Sequence, residues 1–187
     1  MPEKQPPTSR LVAVIDNASE TLGRAAAWLS FVLVLVVGVI VVLRYGFQLG
    51  SIALQESVIY INGALFVLGA GYTLKAQGHV RVDVFYSRFS LRGRAIVDSL
   101  GALLFLLPAS FFIAWISWDY VSVAWRIREG SPEASGLPFV YLLKTLIIVL
   151  PVLLAVQGVS ELTKSLRIAF GSSSPQNEAQ NEAERRA

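Results

Sequence analysis

The sequence predicts an all-α integral membrane protein: four transmembrane helices in a single membrane domain, with both termini cytoplasmic. Three observations predict it. The 187 residues are 54% hydrophobic and only 16% charged, against ~25% charged residues in soluble chains. The apolar residues come in four blocks, each able to cross ~30 Å of hydrocarbon as a helix of ~20 residues. The basic residues border those blocks unevenly. Lys4, Arg10 and Arg24 precede the first block, Lys75, Arg81, Arg88, Arg92 and Arg94 follow the second, and Lys164, Arg167, Arg185 and Arg186 follow the fourth. The other two connections hold Arg44 and the pair Arg126 and Arg128. This bias places the termini and the basic loop on the cytoplasmic side.

Composition also removes several kinds of chemistry. The chain has no cysteine, so disulfides and thiolate metal sites are excluded. The single histidine, His79, cannot supply a bis-histidine haem or a multi-histidine iron site within this chain. No phosphate-binding glycine loop and no nucleophile–base spacing is present. No cofactor, no metal and no enzymatic activity are expected. The basic pI near 9.4 comes from residues flanking apolar spans, where topology explains them, so no nucleic-acid partner is expected.

Residues 1–10, with three prolines in MPEKQPPTS, read as a disordered tail. Leu11, Ile15, Ala18 and Leu22 then recur at helical spacing among polar residues. That makes residues 11–24 an amphipathic segment, either lying at the membrane surface or extending span one. Span one covers about 25–43, and its length argues against a cleavable signal peptide. Span two covers about 52–74. The basic loop follows, where Asp83 is placed to cap a short helix over 84–89. Span three, about 95–118, holds Asp98 near its start and Pro108 near its middle, where a kink is expected. Trp115, Trp118, Tyr120 and Trp125 gather at its far end, a composition suited to a membrane interface. The loop 119–136 contains GSPEASG, and span four covers about 137–159 with Lys144 and Pro151 inside it. Residues 171–187 read as a disordered C-terminal tail. No internal repeat is evident, which counts against a carrier built of two inverted halves.

Span two is the informative stretch. It carries Gln55, Glu56 and Asn62, polar groups that are costly in hydrocarbon without partners. On a helical wheel Gln55, Asn62 and Gly69 form one stripe and Glu56, Gly63 and Ala70 another, about 100° round. Both stripes are candidate helix or subunit interfaces. Val58, Ile61, Leu65, Leu68 and Tyr72 on the far side are expected to face lipid. Glu56 reads either as an ion or proton site or as the partner of a basic group. Lys144 lies at comparable depth on span four and Arg44 closes span one on the same side. The expectation is therefore a Glu56–Lys144 ion pair, with Arg44 as the other available cation.

These residues resemble a known family. Arg44-Tyr45 at the end of span one, Gln55-Glu56 at the start of span two, and FVLGAGYTLKAQGHVRVD from Phe66 to Asp83 look like the small membrane subunit of tripartite ATP-independent periplasmic (TRAP) transporters. The glycine–histidine motif stands here as Gly78, His79, Arg81 and Asp83 with Val80 and Val82 between, on the cytoplasmic side. Leu137-Pro138 after a Gly/Ser loop also fits, and the likeness covers about residues 11–170. The resemblance implies a small scaffold subunit in a bacterial or archaeal inner membrane. Its implied partners are a large transmembrane transport subunit, an extracytoplasmic substrate-binding protein and membrane lipid. It further implies sodium-coupled import of carboxylates or related organic acids, with substrate held by the large subunit. Gln55 beside Glu56 departs from the family, which often has an acidic or aromatic residue there.

A rival reading is an autonomous four-helix exporter that uses Glu56 as its membrane carboxylate. The strong bias of the basic residues argues against a dual-topology dimer of that kind.

Overall fold

The structure is a computed structural model that describes residues 10–76, Gly78 and residues 89–170. The polar N-terminal stretch and the first apolar block form one continuous helix, α1 (Arg10–Gly46, 37 residues). At ~1.5 Å per residue it is ~55 Å long, nearly twice the hydrocarbon thickness. The segment over 11–24 is therefore a helical extension of span one, with no break between them. A linker with Gln48 in the left-handed region (φ 56) turns the chain back. Then α2 (Ile52–Lys75) starts at the N-cap Ser51, whose hydroxyl accepts from Leu54 N at 3.3 Å.

The next span begins with α3 (Leu91–Gly101), capped by Ser90 through Gly93 N at 3.2 Å. It passes through a π-helical segment, Ala102–Leu106, into α4 (Leu107–Ile127). The irregularity precedes Pro108, which has no amide hydrogen and would crowd the carbonyl of Leu104 in a regular α-turn. Helix α4 outruns the expected end near Trp118, so the aromatic residues up to Trp125 lie on the helix itself. Arg128 closes it in the left-handed conformation (φ 48), and Glu129 N donates to Ala124 O at 2.9 Å. The last helix, α5 (Val140–Phe170), starts three residues later than expected and continues past residue 159. Residues 84–88 of the expected short helix, most of the basic loop, and residues 1–9 and 171–187 of the tails lie outside the described residues.

All four spans, Arg10–Gly46, Ile52–Lys75, Arg92–Ile127 and Val140–Phe170, are long and apolar enough to cross a membrane. Helix α5 is the hub: it packs against α1, α2, α3, the π segment and α4, while α1 packs chiefly on α2. The core is made of small side chains, among them Ala26, Ala95, Ala102, Ala124, Ser99 and Ser110. That is the pattern expected where lipid gives no drive to bury bulk and close backbone approach does the packing. An added Cβ at Gly23 would lie 2.5 Å from the Tyr72 ring, and one at Gly158 2.6 Å from Leu106 Cδ2. Large side chains of one helix thus rest on the glycines of another.

Helix α2 is rotated relative to the expectation from its sequence. Val58, Ile61, Leu65 and Leu68, assigned to lipid, are half-buried, and Tyr72 leans on Gly23. Ile52, Gln55, Ile59, Asn62 and Phe66 form the face exposed in this chain. Bulk alone does not select the lipid side of a helix that packs on two others, as Tyr72 over Gly23 shows.

Candidate functional site

The bonded polar side chains of the spans form two networks, one toward each end of the bundle. Glu56 lies one turn into α2 and Lys75 ends it, ~28 Å apart along the helix. Each end has its own network.

At the Glu56 end, the carboxylate holds the loop between α4 and α5. The Ser131 hydroxyl donates to Glu56 Oε1, and Leu137 N donates to Oε2 at 2.6 Å. A charged acceptor facing two donors makes these strong bonds. The loop closes on itself through Ser131 N to Leu137 O at 3.0 Å and Gly136 N to Glu133 O at 3.0 Å. Gly136 is required by this close approach. A Cβ there would run into Ser131 and come within 2.7 Å of Glu56 Oε1. The bond to Leu137 N also explains why α5 starts only at Val140: the two residues before Phe139 belong to the pinned loop.

Lys144 does not pair with Glu56. Its ammonium closes on Glu129, 2.8 Å from Oε1 and 2.6 Å from Oε2, and lies 3.9 Å from the centre of the Tyr120 ring. The expected Glu56–Lys144 pair is thus replaced by two separate locks on one loop. Charge counting favoured a cation for Glu56, whereas a hydroxyl and a backbone amide fill both of its oxygens. Arg44, the other expected cation, is exposed at the end of α1 beside the linker. Next to Lys144, Trp125 Nε1 donates to Thr145 Oγ1 at 2.8 Å, and its ring meets Tyr141 edge-on at 4.8 Å.

The Lys75 end holds a larger network. Gln157, fully buried at 0% exposure, accepts from Ser19 Oγ at 2.6 Å and donates to Asp16 Oδ1 and Glu161 Oε1, each at 3.1 Å. Ser160 Oγ also donates to Asp16 Oδ1, at 2.9 Å. Lys164 Nζ lies 2.7 Å from Asp16 Oδ2 and 2.8 Å from Glu161 Oε1. Lys75 bridges to α1 through Asp16 O and Glu20 Oε2, both at 3.0 Å. The network joins α1, α2 and α5, and it was missed in the sequence. The available signal was Gln157, a long polar side chain in the apolar run of span four.

The two α2 stripes separate in the structure. Gly63 packs within this chain, where a Cβ would lie 3.1 Å from Leu146 Cδ1 and 3.4 Å from Leu143 Cδ1. Ala70 is half-buried, and Gly69 faces Ala26 across an ordinary contact distance of 3.9 Å. Gln55 and Asn62 are exposed, and neither side chain has a hydrogen-bond partner among the described residues. Gly78 is exposed, its amide donating to Thr73 O at 2.9 Å. The other motif residues, His79, Arg81 and Asp83, lie outside the described residues.

Among the described residues no cluster of three or more histidine, cysteine or acidic side chains could hold a metal ion. The polar groups at both ends tie helices and a loop together. Comparison with curated proteins finds no match, and comparison with solved structures finds none either. A family model, that of the tripartite ATP-independent periplasmic transporters, DctQ component, matches residues 33–168. That stretch takes in three whole connections, the end of the first span, all of the second and third and nearly all of the fourth, and the chain belongs to this family of transporter components.

Proposed function

We propose that this chain is the static scaffold subunit of a sodium-coupled, binding-protein-dependent transporter that imports carboxylates or related organic acids. It sits in a bacterial or archaeal inner membrane with both termini cytoplasmic, supports a large transmembrane subunit, and leaves substrate to that subunit. The family match over residues 33–168 carries this reading. The use of the polar residues supports it. Glu56, Lys144, Asp16 and Gln157 are each engaged in contacts that join elements of this chain. A carrier needs ionisable groups that can exchange partners with a ligand, commonly near the membrane midplane. The engagement of both Glu56 oxygens likewise weighs against an autonomous exporter working through that carboxylate.

The test is reconstitution into liposomes with an inward sodium gradient. This chain alone should give no uptake of any organic acid. Adding the large subunit and the binding protein should give sodium-dependent uptake. Uptake by this chain by itself would overturn the scaffold reading.

A further inference from the structure

Helix α2 is hidden by α1 on one side and α5 on another, and among the described residues its remaining face carries polar side chains that suit lipid poorly. Ile52, Gln55, Ile59, Asn62 and Phe66 lie along it at alternating spacings of three and four residues. That is the spacing of a seam that receives a second helix by knobs-into-holes packing. Ile59 is 55% and Phe66 72% exposed in this chain, so the large side chains of the seam are available as knobs.

The two carboxamides decide what covers the seam. Asn62 is the eleventh residue of the 24 in α2, ~15 Å from its start and hence close to the middle of a ~30 Å hydrocarbon layer. Gln55 lies two turns before it on the same stripe. Lipid tails offer the Asn62 carboxamide neither a donor nor an acceptor, and a polar group left so is costly, while Gln55 continues the stripe toward the helix start. The exposed mid-span faces of the other helices are lipid-compatible. Val34 and Leu35 on α1, Phe111 and Phe112 on α4, and Val152 and Val156 on α5 are typical. The Ser30 hydroxyl on α1 is satisfied by Ala26 O of its own helix at 3.2 Å.

Resting on the subunit reading above, we propose that a transmembrane helix of the large subunit packs along the Ile52–Gln55–Ile59–Asn62–Phe66 seam of α2 and bonds Asn62 and Gln55 through its own polar groups. The family description supplies the reason for a partner of another kind: the chain is one component of a tripartite assembly. The proposal narrows the contact from the two stripes expected on span two to one seam. Glu56 and Gly63, on the neighbouring stripe, are already engaged inside this chain.

The experiment places a photo-crosslinking benzoylphenylalanine at Ile59 or Phe66 in the full chain, co-expressed with the large subunit, with Val34 and Phe112 as controls. Adducts to the large subunit from 59 and 66, and none from 34 or 112, are expected. If the two subunits co-purify but adducts from 59 and 66 go only to lipid or to a second copy of this chain, the seam proposal fails and the subunit reading stands. If the two subunits do not co-purify at all, the subunit reading fails and takes the proposal with it. A second measurement uses Asn62→Leu. The isolated subunit should keep its thermal midpoint, because Asn62 holds no partner there, while affinity for the large subunit falls by about 3- to 15-fold. An unchanged affinity, or an equal loss of stability in the isolated chain, would overturn the assignment.

Discussion

Gln157 Nε2 donates to Asp16 Oδ1 at 3.1 Å, joining the last helix to the first across 141 positions of chain. Gln157 is fully buried and also bonded to Ser19 and Glu161. Gln157→Leu should therefore leave the Ser19 hydroxyl without its acceptor and Asp16 without one donor. Each buried group so stranded costs about 1–3 kcal/mol. Thermal unfolding in nanodiscs should show a clear drop in midpoint, and proteolysis within residues 10–24 should quicken as the α1 extension loosens. An unchanged midpoint would mean that the network is incidental to the fold.

The loop lock at the other end makes a separate prediction. Glu56→Gln keeps one acceptor but turns an N–H toward a donor, either Ser131 or Leu137. The expected loss is about 1–3 kcal/mol, with faster hydrogen exchange at the Leu137 amide. Gly136→Ala should reproduce the faster exchange with the carboxyl group itself unaltered, because its methyl would displace Ser131 and crowd Glu56 Oε1. If exchange at Leu137 stays slow in both variants, Glu56 does not hold the loop.

Lys144 and Glu129 should behave as a coupled pair. In a double-mutant cycle, Lys144→Met and Glu129→Gln should each destabilise, and the combined variant should be less impaired than the sum. The same cycle between Lys144 and Glu56 should show weaker coupling, since their direct partners differ. Stronger coupling to Glu56 than to Glu129 would place the ammonium on the wrong carboxylate.

Glycine substitutions on α2 should separate by neighbour. Gly63→Ala places a methyl 3.1 Å from Leu146, so Leu146 must give way, whereas Gly69→Ala meets Ala26 at an ordinary 3.9 Å. Both variants gain the helix preference of alanine over glycine, so Gly69→Ala should have the higher thermal midpoint and Gly63→Ala should lie below it. Gly63→Leu should abolish the native packing of α2 against α5. Equal effects at the two alanine positions would contradict the rotation of α2 described above.

The four spans were legible in the sequence because each is an unbroken apolar run, and runs of that length leave little choice of structure. Helix ends were harder to read. The α1 extension is polar along the side that meets Gln157 and Lys164, so a local reading places it equally well on a membrane surface. Its helical continuation depends on residues about 140 positions away. Glu56 was recognisable as an engaged group, but its partners were not. A hydroxyl and a backbone amide leave no mark in a count of charges. The facing of α2 was misread for a related reason: bulky apolar side chains suit both lipid and a helix–helix contact, so their bulk does not tell the two apart.

The π-helical segment before Pro108 has a consequence for the phase of the third span. Ala95, Ser99 and Ala102 are buried on its first half, and Ser110, Val121 and Ala124 on its second. Ala102 and Ser110 are eight residues apart, which in a plain α-helix leaves them about 80° out of line. The wider turn between them absorbs that surplus, so both halves of the span present one strip to α5. Removing a single residue from Ala102–Leu106 would leave the halves in step as an ordinary helix. The same deletion within residues 113–117 would swing Val121 and Ala124 about 100° out of the bundle.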